Sequence, residues 1–511
     1  EKPAGKILLQ TIIPSQGEQQ LLGGLSGLLK TARLENPRLI GQLIETETGQ
    51  NSQTIIKKLQ ENSRCPDHIQ IRYQAGKRYV QGWKEIAGPP AAGKDPLIPW
   101  QNGNTYLITG GAGGLGLIFA QEIVQKAQNI NLILTGRSPL SADKQTRLKK
   151  LETQAAKISY RQLDITDKKA VVALITNIRE EFGALNGVIH AAGVIKDNYI
   201  LKKTGQELQQ VLAPKVKGLT NLDEASKDLA LDFFILFSST AGSFGNPGQA
   251  DYAAANAFMN AYAQYRNGLV AAKKRWGHTL AVNWSLWKEG GMKIDAETER
   301  IMQQTTGMVP LKTQTGIKAL YHSLTLDQDQ IIVAEGNTRR IKEKLRALTD
   351  SPTSKTERPL QASDSLTAID KNSLQKKVQT ILIQNVAQLL QIRLADIDPD
   401  TELSEYGFDS ISFTQLAVKL NQDHHLELTP AIFFEHTTLR SLTQYLTTEY
   451  QTLFTNQLAP AARPTAGTTD KDLSSGVRRP RFAKPAAVPE KAAPSAPEPV
   501  AVIGMSGVFP Q

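Results

Sequence analysis

Thr105 to Ser138, TYLITGGAGGLGLIFAQEIVQKAQNINLILTGRS, constrains the possible folds of this chain more than any other stretch. Thr105 to Thr109 are mostly β-branched and aromatic and stop at a glycine cluster, and an amphipathic run from Leu115 to Ala127 follows, which predicts strand, tight turn and helix. A second strand, Asn131 to Thr135, closes a βαβ unit. The glycines have separate tasks in such a unit. Gly110 permits the turn out of the strand, Gly114 lets the backbone approach a pyrophosphate, and Gly116 lets the helix pack close to the sheet. The phosphates would sit on free N–H groups at the helix N-terminus. A glycine cluster alone would also fit a plain tight turn; strand before and helix after favour a dinucleotide site. Its residues are Thr109, Gly110 and Gly111 at the turn and Gly113, Gly114, Leu115 and Gly116 at the helix start.

The end of the second strand selects the cofactor. An acidic residue there would bond the ribose 2′-OH of NAD, whereas Arg137 and Ser138 offer a planar cation and a hydroxyl suited to a 2′-phosphate. NADPH is therefore expected over NADH. Further on, KISYRQLDIT reads as a third strand whose end places Asp164 and Ile165 where adenine would lie. NGVIHAAGV reads as a fourth, with the small residues Ala191, Ala192 and Gly193 letting the backbone pass close to the cofactor. DFFILFSS is the fifth, continuously apolar as a strand buried on both faces should be. His190 reads as ordering a strand end, and Tyr262, Trp284 and Trp287 as core.

At 511 residues and 40% hydrophobic content the chain is too long for one core and should hold about three domains or parts of domains. Its net charge of +10 is uneven: residues 372–450 carry ten acidic against five basic residues, a net −5, leaving the remainder at +15. An acidic small domain tethered to basic neighbours suggests docking within one polypeptide rather than nucleic-acid binding. Cys65 is the only cysteine, which excludes internal disulfides and thiolate metal clusters, and no metal site is expected. No run of 18 apolar residues and no signal-peptide core occur, so a cytoplasmic chain without membrane contact is expected. It starts at Glu1 rather than Met and ends in mid-motif, as a piece of something longer would.

Six segments follow from pattern and composition. Residues 1–98 alternate strand and helix without a nucleotide fingerprint, because Gly23 and Gly24 lie inside a helical pattern; they read as a structural half-domain, truncated at its start, joined by Pro89 to Pro99 to the next part. Residues 99–346 are the dinucleotide-binding half. Residues 347–371 are a polar linker, 372–450 are helices only and suit a four-helix bundle that carries something. Residues 451–497 are a tether rich in Pro and Ala, and 498–511 begin another unit.

Carbonyl reduction by hydride transfer needs a proton donor for the nascent alkoxide, a second donor to hold the carbonyl, and a cation that lowers a phenol pKa from about 10. Tyr252, Ser239 and Lys215 are the right types for those roles. Asn256 stands one helical turn after Tyr252 on the same face. The polar segment Gly290 to Gly307, with Gly290 and Gly291 as hinge, would be a substrate lid.

With these residues in place, the stretches TGGAGGLG, LTGRS, GVIHAAGV, APKVKGLTNL, FSSTAGSFGNPGQADYAAANAF and VNWSLW resemble the ketoreductase domain of modular polyketide synthases. That family is a two-part member of the short-chain dehydrogenase/reductase superfamily, with a structural first half and an NADPH-binding second half. The resemblance implies Tyr252 as acid, Ser239 as carbonyl-binding donor, and Lys215 and Asn256 as supports, with Lys and Asn exchanged relative to ordinary short-chain reductases. It also implies stereocontrol by the residue four after the HAAG glycine, here Asp197, and the residue eight before the tyrosine, here Phe244. Asp with no Trp marks the class giving a D-configured β-hydroxyl.

Ser410, opening a helix in GFDSI, could on spacing alone be an N-terminal cap. Residues 372–450, however, resemble an acyl carrier domain, whose serine takes a 4′-phosphopantetheine arm from a phosphopantetheinyl transferase. Leu416 stands where carriers committed to β-branching often have Trp. EPVAVIGMSGVFPQ resembles the opening of a ketosynthase. Together these imply an α/β Rossmann-type ketoreductase followed by an all-α carrier bundle. The implied partners are a β-ketoacyl chain on the carrier and the adjacent ketosynthase and other modules, within a homodimeric synthase. The attached carrier argues against a reductase of free ketones.

Overall fold

The computed structural model describes residues 6–86, 98–152, 156–292, 294–347, 371–390, 392–408, 410–426, 428, 430, 432–458, 500–504 and 508–510. The Pro89 to Pro99 linker falls mostly outside them, as do the polar linker from 348 to 370 and the Pro/Ala-rich stretch from 459 to 499.

Two sheets organise the first part of the chain. The smaller contains β1 (Ile7–Pro14), β2 (Leu39–Thr46), β3 (Gln70–Gln74) and β4 (Lys77–Gln81), with β1, β2 and β3 parallel and β4 turned back on β3. The larger contains β5 (Lys84–Glu85), β6 (Thr105–Thr109), β7 (Ile130–Gly136), β8 (Ala156–Gln162), β9 (Gly187–His190), β10 (Phe233–Ser239), β11 (His278–Trp284), β12 (Met308–Val309) and β13 (Gln330–Gly336). Its parallel run reads β8-β7-β6-β9-β10-β11-β13. Two C-terminal strands complete the sheets: β14 (Val500–Gly504) pairs antiparallel with β13 and β5, and β15 (Val508–Pro510) with β4.

The large sheet is buried on both faces, and its strands alternate between two cores with the period of two that a pleat imposes. Tyr106, Ile108, Leu132, Leu134, Phe233, Ile235 and Phe237 face one core. Leu107, Ile133, Phe234, Leu236 and Ala281 face the other. Helices Gly114–Lys126 and Thr313–Leu324 cover the first face; Lys168–Phe182, Leu219–Ala225 and Ala250–Ala271 cover the second. Strand order reverses between β6 and β9, which opens a crevice at the carboxyl ends there. Thr109, Gly136, His190 and Ser239 end four of these strands.

Tyr262, Trp284 and Trp287 are core, as expected. The glycines read inside a helical pattern, Gly23 and Gly24, lie in a 3₁₀ turn that leads into helix Leu25–Glu35. Close packing explains them. A Cβ on Gly24 would lie 3.0 Å from that of Phe258, and one on Gly27 would lie 2.2 Å from the Ala253 carbonyl. The first half-domain thus rests on the back of helix Ala250–Ala271 at a distance that side chains would not allow.

The helical C-terminal part has its own core, with Leu382, Leu403, Phe413, Leu416, Phe433 and Leu442 among its buried members. Its helices are Lys371–Leu390, Ser410–His424, the short Ile432–Glu435 and Leu439–Glu449. The expected end at 450 is too early: Gln451–Leu458 is a further helix, because Leu453 and Phe454 bury themselves against the bundle. Among the described residues no helix is long and apolar enough to cross a membrane.

One buried ion pair fixes the helices behind the crevice. Arg266 is fully buried and donates to Asp223 at 2.7 Å, to the Trp276 and Gly277 carbonyls, and to the Thr279 hydroxyl. Arg275 and the Tyr262 hydroxyl complete the shell around Asp223. Removing one partner of such a pair leaves an uncompensated buried charge, which costs about 3–5 kcal/mol. Asp223→Ala should lower unfolding free energy in denaturant titrations by that amount, and a loss under about 1 kcal/mol would show the pair to be dispensable.

Candidate functional site

The turn after β6 is built as its glycines require. Gly110 has φ +67°, and a Cβ there would lie 2.8 Å from the Ala192 Cα. Gly113 is the extended N-cap of helix Gly114–Lys126, whose first-turn amides have no helical carbonyl to bond. A Cβ on Gly116 would sit 2.5 Å from the Gly110 carbonyl, so Gly116 lets the helix close on its own turn. Gly114 has a reason to be glycine that was not expected. A Cβ there would lie 2.1 Å from the Gly290 carbonyl, so this glycine admits the backbone of the Gly290–Gly291 segment. Gly290 and Gly291 thus lie on the glycine turn itself, and helix Ala296–Thr306 follows them, closed by left-handed Gly307.

From this turn a cleft of about 520 Å³ runs along the carboxyl ends of β6, β7 and β9. Gly110, Gly113, Arg137, Ser138, Asp164 and Ile165 line it, with Ala191, Ala192 and Gly193 on the far wall. Arg137 and Ser138 are exposed at the end of β7, and no carboxylate among the described residues pairs with Arg137. Lys144 lines the same end and adds a second cation that sequence reading missed. Asp164 is exposed and accepts from the Thr166 amide. Ile165 is 4% exposed and packs where a Cβ on Gly218 would touch it, so its side chain belongs to the core while its neighbours line the cleft. Thr109 and His190 end adjacent strands, and the Thr109 hydroxyl lies 2.7 Å from the His190 Nδ1. Burial, reinforced by the Lys215 charge, lowers the His190 pKa to about 3; it is a neutral, ordering residue.

Behind Gly193 of the cleft wall lie the residues expected to be catalytic. Ser239 terminates β10 and caps the next short helix through the Ala241 amide. Tyr252 lies in the first turn of Ala250–Ala271, and burial raises its pKa while the Ser239 and Asn256 side chains oppose the rise. Lys215 lies where helix Gly205–Ala213 passes through one π turn, Pro214–Gly218, into Leu219–Ala225, a distortion that points its side chain inward. The ammonium donates to the Phe237 carbonyl at 3.0 Å and lies 5.7 Å from the Tyr252 ring centre. Gly193 lets it pass, since a Cβ would lie 3.0 Å from the Lys215 Cε. Burial lowers the Lys215 pKa from its usual value to about 7. The Asn256 amide donates to the Tyr252 carbonyl at 2.7 Å, and its buried oxygen has no protein partner.

A nicotinamide dinucleotide fits this set of residues. The positive-φ turn, open helix amides and cations of the cleft suit phosphate groups, and Gly193 of its far wall lies against Lys215, beside the phenol.

Beside the phenol, Asp197 accepts both bonds of the Gln249 amide at 3.1 Å. Phe244 is half-buried against Trp83, 5.3 Å between ring centres, beside the Met308 and Ile332 cluster. Two supports escaped the sequence reading. Asn283, fully buried in β11, accepts from Ser238, Ser243 and Asn260 and so ties the Ser239 strand to the Tyr252 helix. A polar residue inside an apolar strand was the available signal. Glu35, at the end of a helix in the first half-domain, accepts from the Ile200 amide at 2.8 Å and the Gly248 amide at 2.9 Å. It clamps together the two loops that flank the site, and nothing local in the sequence marks it. Glu35→Ala should leave both amides unbonded and speed their hydrogen exchange by at least tenfold; unchanged protection would mean that the clamp is idle.

A family model described as KR domain matches residues 104–289, and one described as Phosphopantetheine attachment site matches residues 380–446. Polyketide synthase PksN of Bacillus subtilis (strain 168) is 46% identical over 515 residues, which cover 100% of this chain and 9% of that protein. Polyketide synthase PksL of the same organism is 46% identical over 451 residues, 87% of this chain and 10% of that protein. The chain therefore spans about a tenth of the length of these curated relatives. The crystal structure of a ketoreductase domain from the bacillaene assembly line is similar with a TM-score of 0.64 at 49% identity, covering 67% of this chain and 81% of that one.

Proposed function

Because the chain carries the ketoreductase domain of a polyketide synthase with a phosphopantetheine carrier domain after it, we propose that it reduces a carrier-bound β-ketoacyl thioester to the β-hydroxyacyl thioester with NADPH. The carrying observation is that Tyr252, Ser239 and Lys215, from three separate elements, come together beside Gly193, a residue of the cleft wall. Arg137, Ser138 and Lys144 would hold a 2′-phosphate, and the turn from Gly110 to Gly116 the pyrophosphate. Bound NADPH supplies the hydride. The Ser239 hydroxyl holds the ketone oxygen by hydrogen bonding, and the Tyr252 phenol gives that oxygen its proton as negative charge develops. The Lys215 ammonium stabilises the phenolate left behind, and Asn256 holds the first turn that presents Tyr252. The segment Gly290 to Gly307 serves as lid over the cleft.

In this reading Ser410 carries the 4′-phosphopantetheine arm, added by a phosphopantetheinyl transferase. Its backbone opens helix Ser410–His424; its side chain lies outside what the structure describes. Residues 498–511 begin a ketosynthase, and the parent synthase is a homodimer whose other modules supply and take the acyl chain.

Tyr252→Phe should lower turnover of a β-ketoacyl thioester by roughly 10²- to 10⁴-fold with the fold intact, the range of general acid catalysis. A loss below tenfold would remove Tyr252 from the proton-donating role.

The pH dependence follows from Lys215. With its pKa near 7 it is charged below neutrality, and the phenol, raised by burial, stays protonated throughout that range. Reductive kcat/KM should fall as pH rises through about 7, and Lys215→Met should give a slower reaction without that step. Stability moves the other way: the unfolded lysine holds its proton up to about 10.5, so from about 7 to 10.5 stability rises with pH. A kcat/KM profile flat from pH 6 to 9 in the unaltered protein would contradict the assignment.

Arg137→Ala should raise the KM for NADPH while leaving that for NADH nearly unchanged, because only the former has the 2′-phosphate. Equal effects on both would make Arg137 structural.

The stereochemical reading rests on Asp197, placed beside Gln249 three residues before Tyr252, with Phe244 where the opposite class has Trp. A hundredfold preference between carbonyl faces needs only about 2.7 kcal/mol. The product should carry a D-configured β-hydroxyl; chiral chromatography of the hydrolysed product showing mainly the L-isomer would reverse it.

A further inference from the structure

We propose that the loop carrying Tyr199 and Lys202 is the docking surface on which this chain's own carrier domain sits while its acyl chain is reduced. The inference rests on the reading that the reductase acts on carrier-bound substrate, and it adds where and through which residues the carrier is held.

Four contacts join the two parts. The Tyr199 ring lies 4.7 Å from that of Phe434, centre to centre. The Tyr199 hydroxyl is 3.3 Å from the Thr414 hydroxyl. The Lys202 ammonium sits 4.8 Å from the centre of the Phe434 ring. Further along the carrier helix, Gln422 reaches Gln304 of helix Ala296–Thr306 at 3.5 Å. The reductase therefore touches the carrier with both the Asp197 loop and the segment after Gly290.

The surface is prepared on each partner. Phe434 is braced inside the carrier by Phe413, 5.0 Å away and edge-on. The reductase loop is braced by Glu35 at Ile200 and by the buried Lys203–Asp251 ion pair, 2.9 Å. Tyr199 is 1% exposed, so its ring is fully covered in this arrangement. Charge agrees with the pairing, since Lys196 and Lys202 are exposed on the loop and the carrier segment is net −5.

The placement suits delivery. Thr414 lies one turn after Ser410 on the same helix, about 6 Å along its axis. Tyr199 lies two residues from Asp197, whose partner Gln249 begins the turn leading to Tyr252. The carrier thus meets the reductase along the helix that bears Ser410, with Thr414 near that serine and Gln422 near the far end. Because both partners share one polypeptide, the effective concentration is high and a small contact is sufficient.

The test uses the 511-residue chain, pantetheinylated and loaded with a β-ketoacyl group, in single-turnover reduction with NADPH. Intact mass follows the gain of two hydrogens on the arm. The same proteins are then given a free β-ketoacyl thioester of N-acetylcysteamine. Lys202→Glu changes an exposed side chain, and Phe434→Ala changes the carrier side. Each should slow reduction of the carrier-bound chain at least tenfold, leave the free thioester within twofold, and leave pantetheinylation complete. The double variant should be little slower than either single one, since both remove one contact. Unchanged carrier-bound rates would overturn the docking surface, and so would parallel losses on the free thioester. If the unaltered chain reduces the free thioester but not the carrier-bound one, the carrier reading fails; if it reduces neither, the reductase reading fails.

Discussion

The buried pair of Asp223 and Arg266 is the constraint on which the site depends. Asp223 lies on helix Leu219–Ala225, directly after the π turn that carries Lys215. Arg266 lies on Ala250–Ala271, which carries Tyr252 and Asn256. Bringing a lysine and a phenol from two helices within reach of each other requires that the helices keep a fixed spacing, which apolar packing alone would leave free to slip. A charge pair surrounded by donors and acceptors has one good geometry. Its desolvation is offset only when every hydrogen bond is made, and Arg266 also bonds the Trp276 and Gly277 carbonyls and Thr279, so strand β11 is fixed by the same network.

From that frame, the role of the first half-domain becomes physical. Gly24 and Gly27 let helix Leu25–Glu35 press on the back of the Tyr252 helix, and Glu35 at its end bonds Ile200 and Gly248 across the junction. The Asn198 amide bonds the Gly248 carbonyl, which joins the two loops directly. A half-domain without a cofactor fingerprint thus sets the positions of Asp197, Gln249 and Tyr199. It acts on the reaction only through residues it holds.

The parts legible in the sequence were those in which a residue acts through its own type and its near neighbours. The βαβ unit, the alternating strands and the exposed Arg137 follow from spacing, because a pleat and a helix impose periods of 2 and 3.6 on any chain. Lys215 was legible as a residue type and the family resemblance added Asn256 as a support, but their meeting on helices far apart in sequence was not legible. What was not legible involves contacts between distant segments. Glu35 looks like any solvated helix-end acid, Gly114 like any phosphate-loop glycine, and Leu453 and Phe454 like the start of a tether. Only the fold shows that they meet Gly248, Gly290 and the carrier core respectively.

Gly114 also bears on how cofactor and substrate are coupled. A rigid glycine turn that touches nothing but a phosphate would leave the substrate side of the cleft independent of whether the phosphate is present. Here the Gly290–Gly291 backbone packs on the Gly114 Cα, 3.5 Å from Gly291 at the site of a would-be Cβ, and helix Ala296–Thr306 continues from that segment to the carrier helix. Anything that repositions the glycine turn must therefore move, or be resisted by, the chain that leads to the carrier helix. Steric contact between two backbones has almost no slack, since a few tenths of an ångström separate contact from overlap. A larger residue at 114 would force the two backbones apart, which is why the closest packing here falls on a residue without a side chain.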